Sequence, residues 1–398
     1  MAPSFLGRHY QMTCGDCRFV FACDGINIPA DRQTVCPNCG YAANELQPAE
    51  YGPAERVSIL KSDRPARWDV VAVKLHSGKE DSPRYAVKRV VAMPGEELRL
   101  LDGDVFIDGE IVAKPLDVQR RVRIPIFDSD YRSVSDPQLS RRLLQIPGSL
   151  DTLVQASGQE SRSGVPTAGP GWEIVTGMRF QPVTAYRSKE AGEPIDRIKD
   201  FYAYNQNLSR KLNTTDQLYM QYDLLAEPDV RITFQVPGSH PIRISLDVET
   251  VDLEQVVGSE MIHQSFQMPR RTGIGLKVEI SSFDQRLQLI VNGCELFDVE
   301  AFAFQAGLGQ ADMTPMAMVI GPGVCRLNRL QIWRDIHYFD DVENHFSGNS
   351  PKQTKDDEFF ILGDNVPVSV DSRHWEVPAV TRSQIIGIVT GNSAETTQ

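Results

Sequence analysis

The fold of this chain is decided by residues 84–109, RYAVKRVVAMPGEELRLLDGDVFIDG. Two Asp-Gly pairs, at 102–103 and 108–109, separate short apolar runs such as Val105-Phe106-Ile107. Asp-Gly is typical of two-residue hairpin turns, because both of its residues tolerate positive φ. The stretch therefore predicts a β-meander, in which consecutive strands lie next to each other.

Lys88 lies within the first apolar run, after Ala86-Val87 and before Val90-Val91. Burial disfavours the charged form of a lysine and lowers its pKa from about 10.4. A neutral lysine can serve as general base to a serine hydroxyl, the Ser-Lys form of acyl-transfer chemistry. The alternative is an edge-strand lysine whose amine reaches solvent. Arg89 points to the other face of the strand, and we expect it to be solvated.

A second informative stretch is FFILGDNVPVSVDSRHWEVP, residues 359–378. With residues 84–109 and the strand-like segment 67–73, it resembles type I signal peptidases, the serine endopeptidases that remove signal peptides from exported proteins. The residues that match the lysine box of that family are Tyr85, Lys88, Arg89, Pro94, Gly95 and Glu96. Those that match its late box are Gly363, Asp364, Asn365, Ser369, Asp371, Ser372 and Arg373.

The resemblance implies a role for each of four catalytic-site residues. Lys88 would be the general base, and Ser369 would hydrogen-bond to it and orient it. Asp371 and Arg373 would form a supporting ion pair. The implied reaction is acylation of a serine by the substrate, followed by hydrolysis of the acyl-enzyme.

The nucleophile of this family lies in a Ser-Met-x-Pro-Ser/Thr box that follows a membrane anchor. The chain begins Met1-Ala2-Pro3-Ser4, so the resemblance places the nucleophilic serine immediately before Met1, outside the sequence shown. Ser4 then matches the hydroxyl position at the end of the box and is not the nucleophile. The alternatives are an ordinary initiator methionine followed by a chance match, or a relative that has lost both anchor and serine.

Four cysteines form two Cys-x-x-Cys pairs, Cys14/Cys17 and Cys36/Cys39. Two such pairs at this spacing predict a structural zinc ribbon over residues 14–40, whose four sulfur ligands leave no open position for catalysis. A disulfide pair, a redox dithiol or a vestigial site without metal are the alternatives. The pairs lie among more acidic than basic residues, which favours scaffolding or protein contact over nucleic-acid binding.

Residues 118–346 contain many short alternating apolar runs, which favour an antiparallel β-sandwich. Leu276, Val278 and Ile280 are expected to pair with Leu287, Leu289 and Val291, with a turn at Asn292-Gly293. One short helix is expected within residues 195–212. In strand rhythm this region loosely resembles concanavalin-like jelly rolls of sugar-binding modules, which would imply a glycan or partner ligand.

The predicted fold class is mainly β, a signal-peptidase-like core split by the zinc ribbon and the sandwich. The expected parts are the nucleophile-box remnant 1–13, the ribbon 14–40, the core segments 55–117 and 355–392, and the inserted sandwich 118–346. Such an arrangement requires the two ends of the sandwich to lie close together.

The 398 residues carry a net charge of −12, which argues against nonspecific nucleic-acid binding, and no run approaches the ~20 apolar residues of a membrane helix. The expected function is cleavage of exported preproteins at a membrane surface, with the anchor and serine lying outside this chain. The chain alone is then expected to be inactive and soluble as written. The alternative is a catalytically inactive peptidase-like protein whose ribbon and sandwich bind a partner or glycan.

Overall fold

The structure is a computed structural model, and it is mainly β, as the sequence predicts. It describes residues 1–62, 64–75, 84–135, 172–175, 199–210, 212–213, 215, 217–226, 232–236, 242–247, 249–257, 260–268, 275–300, 317–320, 324–338 and 351–392. The predicted sandwich boundary at residue 346 lies outside these residues.

The first part of the chain forms two small antiparallel sheets, one of order β2-β1-β5 and one made of β3 and β4. Their strands are β1 (His9–Thr13), β2 (Val20–Asp24), β3 (Gln33–Thr34), β4 (Asn44–Glu45) and β5 (Tyr51–Gly52). Their buried apolar side chains, including Tyr10, Met12 and Phe21, pack around the cysteines in one small core.

The next part contains the predicted meander and a short helix. Its strands are β6 (Val57–Leu60), β7 (Val70–Leu75), β8 (Arg84–Ala92), β9 (Glu97–Leu101), β10 (Asp104–Ile107) and β11 (Glu110–Ile111). Both Asp-Gly pairs have positive φ at both residues, 52° and 94° at 102–103 and 52° and 91° at 108–109, and they connect β9, β10 and β11 as predicted.

The central part forms two larger antiparallel sheets. Its strands are β12 (Ile124–Asp128), β13 (Trp172–Val175), β14 (Leu218–Ala226), β15 (Ile232–Val236), β16 (Ile242–Leu246), β17 (Thr250–Val257), β18 (Glu260–Gln267), β19 (Gly275–Ser281), β20 (Arg286–Val291), β21 (Cys294–Glu300), β22 (Ala317–Ile320) and β23 (Val324–Arg334). One sheet has the order β12-β23-β14-β19-β20-β21, with β13 beside β23, and the other has the order β18-β17-β16-β15-β22.

The two central sheets share a single apolar core, to which Ile244 and Leu253 contribute from one sheet and Val278 and Leu289 from the other. The register pairs Val278 with Val291 and Ile280 with Leu289, which confirms the predicted pairing. The turn at Asn292-Gly293 has positive φ at both residues.

The last strands are β24 (Lys352–Gln353), β25 (Glu358–Leu362), β26 (Val380–Thr381) and β27 (Ile385–Asn392). They complete a six-stranded sheet of order β26-β25-β8-β7-β27-β6 and a four-stranded sheet of order β11-β10-β9-β24. Strands that precede and strands that follow the central sheets in the sequence therefore build one β core, in which β25 lies next to the lysine-bearing β8.

The prediction of a short helix within residues 195–212 is wrong for the described part of that segment, which contains only a 3-10 turn. Among the described residues, the α-helix is α1 (Leu116–Val122), where Val118 and Val122 share one buried face after Pro115. The 3-10 turns among the described residues are Pro48–Glu50, Ala203–Asn205, Phe283–Gln285, Val366–Val368 and Arg382–Gln384. The Asp200 carboxylate accepts hydrogen bonds from Arg210 Nη1 and from the Asn213 amide, and these contacts fix the irregular path of the described residues here.

Candidate functional site

Lys88 is a half-buried residue of β8, opposite Val71 of β7. Its Nζ atom lies 2.7 Å from Ser369 Oγ and donates a hydrogen bond to it. Burial lowers the pKa of Lys88 from its ordinary value, an effect that the carboxylate of Asp371 opposes. The amine is therefore shifted towards the neutral form that a general base requires.

Ser369 follows the 3-10 turn Val366–Val368, which begins after Asn365. The backbone at Gly363 passes so close to this pair that an added Cβ would lie 2.0 Å from Ser369 Oγ and 3.0 Å from Lys88 Nζ. A side chain at this position would push the two groups apart, so the contact requires glycine at 363.

Asp371 and Arg373 form a buried bidentate ion pair, with Nε–Oδ1 and Nη2–Oδ2 distances of 2.9 Å each. Gly363 N also donates to Asp371 Oδ2, at 2.9 Å. Burial alone would raise the pKa of Asp371, but hydrogen bonds from His374 and Arg373 hold it well below its ordinary range. The ion pair therefore stays charged and fixes the loop that carries Ser369.

Arg89 is not solvated as expected from its position, since it is only 1% exposed. Its Nε and Nη2 atoms donate to Asp364 Oδ1 and Oδ2 at 2.9 and 2.7 Å, and its Nη1 donates to the Trp68 carbonyl at 2.7 Å. The expectation fails because β8 is an inner strand and its successive residues Arg89 and Val90, which face opposite sides of the sheet, are both buried. Alternation along a strand assigns residues to its two faces but does not show which face is exposed to solvent.

The first residues of the chain lie at the same place. Ser4 Oγ donates to Asp364 Oδ2 and accepts a hydrogen bond from Arg89 Nη2 at 2.9 Å. Burial lowers the pKa of the Met1 α-amino group, Asp364 favours its charged form, and Lys88 and Arg89 disfavour it. The backbone nitrogen of Met1 is thus within electrostatic reach of the Lys88 amine, whereas the Ser4 hydroxyl is held by Asp364 and Arg89.

Cys14, Cys17, Cys36 and Cys39 meet in a second site, where their sulfur atoms all lie within 4.8 Å of one another. The Sγ–Sγ distances of 3.6 Å for Cys14–Cys39 and 3.7 Å for Cys17–Cys36 are far above a disulfide bond length, and all four thiols are free.

Both Cys-x-x-Cys segments close as tight turns. The amide of Arg18 donates to Cys14 O at 3.1 Å, and that of Gly40 donates to Cys36 O at 2.9 Å. Arg18 and Gly40 have φ angles of 69° and 75°. The four thiols therefore converge from two matching knuckles, an arrangement compatible with a tetrahedral metal ion.

Two further clusters of polar side chains were not predicted from the sequence. Asn205 pairs with Asn365 through both side-chain amides, and Lys114 lies among Asp104, Asp284 and Asp335. Asn205 and Asn365 are 160 residues apart in the chain, and Lys114 and Asp284 are 170 residues apart. No local pattern in the sequence joins them.

Comparison with known proteins supports the class that the fold and site suggest. The profile of the family described as "Signal peptidase, peptidase S26" matches residues 41–149, which include Lys88 and its box but not the late box. This part of the chain is therefore signal-peptidase-like. No curated protein matches the chain.

Many solved structures overlap with part of the chain at low similarity. A CBM66 carbohydrate binding module from Bacillus subtilis is 5% identical, covers 31% of this chain and 80% of its own, and has a TM-score of 0.25. Galectin LEC-6 of Caenorhabditis elegans is 14% identical, with coverages of 30% and 83% and a TM-score of 0.23. Such TM-scores assign neither a fold nor a ligand. No helix among the described residues is both long and apolar enough to cross a membrane.

Proposed function

We propose that this chain is the catalytic portion of a serine endopeptidase that cleaves signal peptides from exported proteins, with Lys88 as general base. The observation that carries the proposal is the contact of the half-buried Lys88 amine with Ser369 Oγ, in a loop held by the Asp371–Arg373 ion pair. The signal-peptidase-like match of residues 41–149 supports the same class.

The nucleophile in this proposal is a serine immediately before Met1. The charges of Lys88, Arg89 and Asp364 all act on the pKa of the Met1 α-amino group, which supports a place within electrostatic reach of the Lys88 amine for a residue joined to Met1. Lys88 takes the hydroxyl proton while the serine attacks the scissile carbonyl, and then returns it to the departing amine. Water, deprotonated by the same lysine, hydrolyses the acyl-enzyme.

Ser369 and the Asp371–Arg373 pair act on the lysine rather than on the substrate. Ser369 accepts the lysine hydrogen bond and fixes the direction of the amine. The ion pair holds the loop, and Gly363 leaves the space in which the two groups meet. The fixed position of the Lys88 amine and its lowered pKa together allow it to act as the general base.

The four cysteines hold one structural zinc ion in this proposal. Four thiolates close a tetrahedron and leave no site for a substrate, so the metal stabilises the ribbon and takes no part in hydrolysis. The substrates are exported preproteins, and the catalytic portion acts at a membrane surface through an anchor outside the sequence shown.

The decisive experiment restores the serine. A soluble carrier is fused to Met1 through a flexible linker that ends in serine, and cleavage of a synthetic signal peptide is followed by mass spectrometry. We expect activity that rises with pH to a midpoint below 10.5, because Lys88 must lose its proton. Lys88→Ala should reduce the rate by about 10³-fold or more, whereas Lys74→Ala, at an exposed position of neighbouring β7, should not.

A matched fusion whose linker ends in alanine serves as the background control. If the folded serine fusion cleaves no signal peptide, or if Lys88→Ala retains its rate, the peptidase proposal is wrong. Binding of the peptide without turnover would instead favour the alternative of a catalytically inactive binding protein.

A further inference from the structure

The central part of the chain reaches into the candidate catalytic loop. Residues 199–210 lie between the two sets of core strands in sequence, and Ala203 and Tyr204 of this segment are buried. Asn205 Nδ2 donates to Asn365 Oδ1 at 2.6 Å, and Asn365 Nδ2 donates back to Asn205 Oδ1 at 3.0 Å. The two side chains thus satisfy each other through a closed pair of hydrogen bonds.

Asn365 stands at the start of the turn that delivers Ser369. Its carbonyl accepts the amide of Val368 at 3.2 Å, and Ser369 follows directly. The turn is held at three points. Asn205 binds its first residue, Arg373 Nη2 donates to the Val366 carbonyl at 3.1 Å, and Lys88 binds Ser369 at its end. Of these three contacts, only the one from Asn205 comes from outside the lysine box and the late box.

Asn205 is in turn fixed by the cysteine-rich part of the chain. Its neighbour Gln206 donates from Nε2 to the Val35 carbonyl at 3.0 Å and accepts from the Val35 amide at 3.1 Å. Val35 immediately precedes Cys36 of the second knuckle. Hydrogen bonds therefore link Val35 to Gln206 and Asn205 to Asn365, and the chain itself joins Gln206 to Asn205 and Val35 to Cys36.

We propose that Asn205 is a positioning residue for the Lys88–Ser369 pair, held in place by the ribbon through Gln206. The proposal rests on the proposed function, since it assigns Asn205 to that same site. Asn205 touches neither substrate nor the reacting atoms. It fixes the entry of the turn, and the turn keeps Ser369 over the Lys88 amine and keeps water away from it.

Removal of Asn205 should act in two measurable ways. The turn loses one of its three holds, so amides of residues 366–371 should exchange with solvent more readily. Water that reaches Lys88 should relieve part of its burial, and its pKa should move up towards the ordinary 10.5. Loss of packing elsewhere in the chain would cause neither effect at this site.

The test uses the full chain and its Asn205→Ala variant. Hydrogen exchange read by mass spectrometry reports the peptide that contains residues 366–371, and pH-dependent acylation of Lys88 with acetic anhydride reports its pKa. Asn205→Ala should speed exchange of that peptide by about tenfold and raise the pKa of Lys88 by about half a unit or more. Asn205→Gln, which keeps both the amide donor and the amide acceptor, should show smaller shifts. Leu208→Ala, at an exposed site of the same segment, should show none.

In the serine fusion, Asn205→Ala should lower kcat by about tenfold with KM within about twofold, because the substrate does not touch this residue. Unchanged exchange and an unchanged pKa of Lys88 in a folded Asn205→Ala variant would overturn the positioning role. If the serine fusion proves inactive while both shifts occur, the contact stands and the peptidase proposal alone fails.

Discussion

Lys114→Met should destabilise the protein strongly, because Lys114 is buried among three carboxylates. Lys114 Nζ pairs with Asp284 and lies 2.9 Å from Asp335 Oδ2, and the side chain is 1% exposed. The third carboxylate, Asp104, accepts two hydrogen bonds of 3.0 Å from Gln217 Nε2. The cluster joins β10 of the meander to the central sheets, since Asp284 lies in the turn after β19 and Asp335 follows β23.

The expected magnitude follows from the burial of all partners. Removal of one member of a buried ion pair costs about 3–5 kcal/mol, because an uncompensated charge remains in a poorly solvated place. Methionine fills a similar volume, so little of the cost comes from a cavity. We therefore expect a loss of about 3–5 kcal/mol in the free energy of unfolding at pH 8.

The loss in the free energy of unfolding should shrink as the pH falls. Burial raises the pKa of Asp335 to about 7 and that of Asp104 well above its ordinary range, while Lys114 opposes both shifts. In the parent, the raised pKa of Asp335 makes stability fall as pH rises from about 4 to about 7, since the folded state holds the extra proton. Without Lys114 the carboxylates bind protons more tightly, so the deficit of the variant is larger at pH 8 than at pH 5.

Urea unfolding of parent and variant at pH 5 and pH 8, followed by tryptophan fluorescence, measures both effects. Lys355→Met is the matched control, because Lys355 also pairs with a carboxylate, Glu358 at 3.0 Å, but its side chain is 77% exposed. Such a surface pair contributes about 0–1 kcal/mol. A deficit for Lys114→Met below about 1 kcal/mol, or one equal at both pH values, would show that the lysine does not compensate the buried carboxylates.

Three further predictions concern the two candidate sites. Gly363→Ala should separate Ser369 from the lysine and slow the serine fusion by about a hundredfold without unfolding it, as kinetics and circular dichroism would show. Arg89→Leu should cost about 3–5 kcal/mol in urea unfolding by stranding buried Asp364, whereas Arg99→Leu, in an exposed pair, should cost under about 1 kcal/mol. Purified protein should contain one zinc ion per chain by mass spectrometry, and chelation should lower its melting temperature; metal-free protein with an unchanged melting point would contradict this.

The sequence predicts most of what is local in this structure. The Asp-Gly and Asn-Gly turns locate five strands of the meander and the central sheets, because these residue pairs tolerate positive φ. The spacing of the cysteines likewise identifies four side chains that meet. In both cases short sequence motifs are sufficient for the prediction.

Two features of the structure could not be predicted from the sequence. One is the burial of each face of a strand, and the other is the set of contacts between segments that are distant in the chain. Lys88 and Arg89 alternate as expected, yet both faces of β8 are covered, and the arginine is stabilised by Asp364, which lies 275 residues away in the chain. Asn205 and Asn365 are ordinary polar residues until the fold brings them together. Such partners can be found only from the packing of the sheets, because no periodicity encodes them.

The contacts of the central sheets also bear on how a ligand for them should be sought. An excised fragment of residues 118–346 would contain Asp284 and Asp335 without Lys114, and Tyr338 without Asp364, whose Oδ1 lies 3.5 Å from the Tyr338 hydroxyl. Unpaired carboxylates at the cut surface would weaken the fragment and create an acidic patch that the full chain does not expose. A screen for glycans or protein partners should therefore use the full chain. A ligand that binds the fragment but not the full chain would be binding to the cut surface.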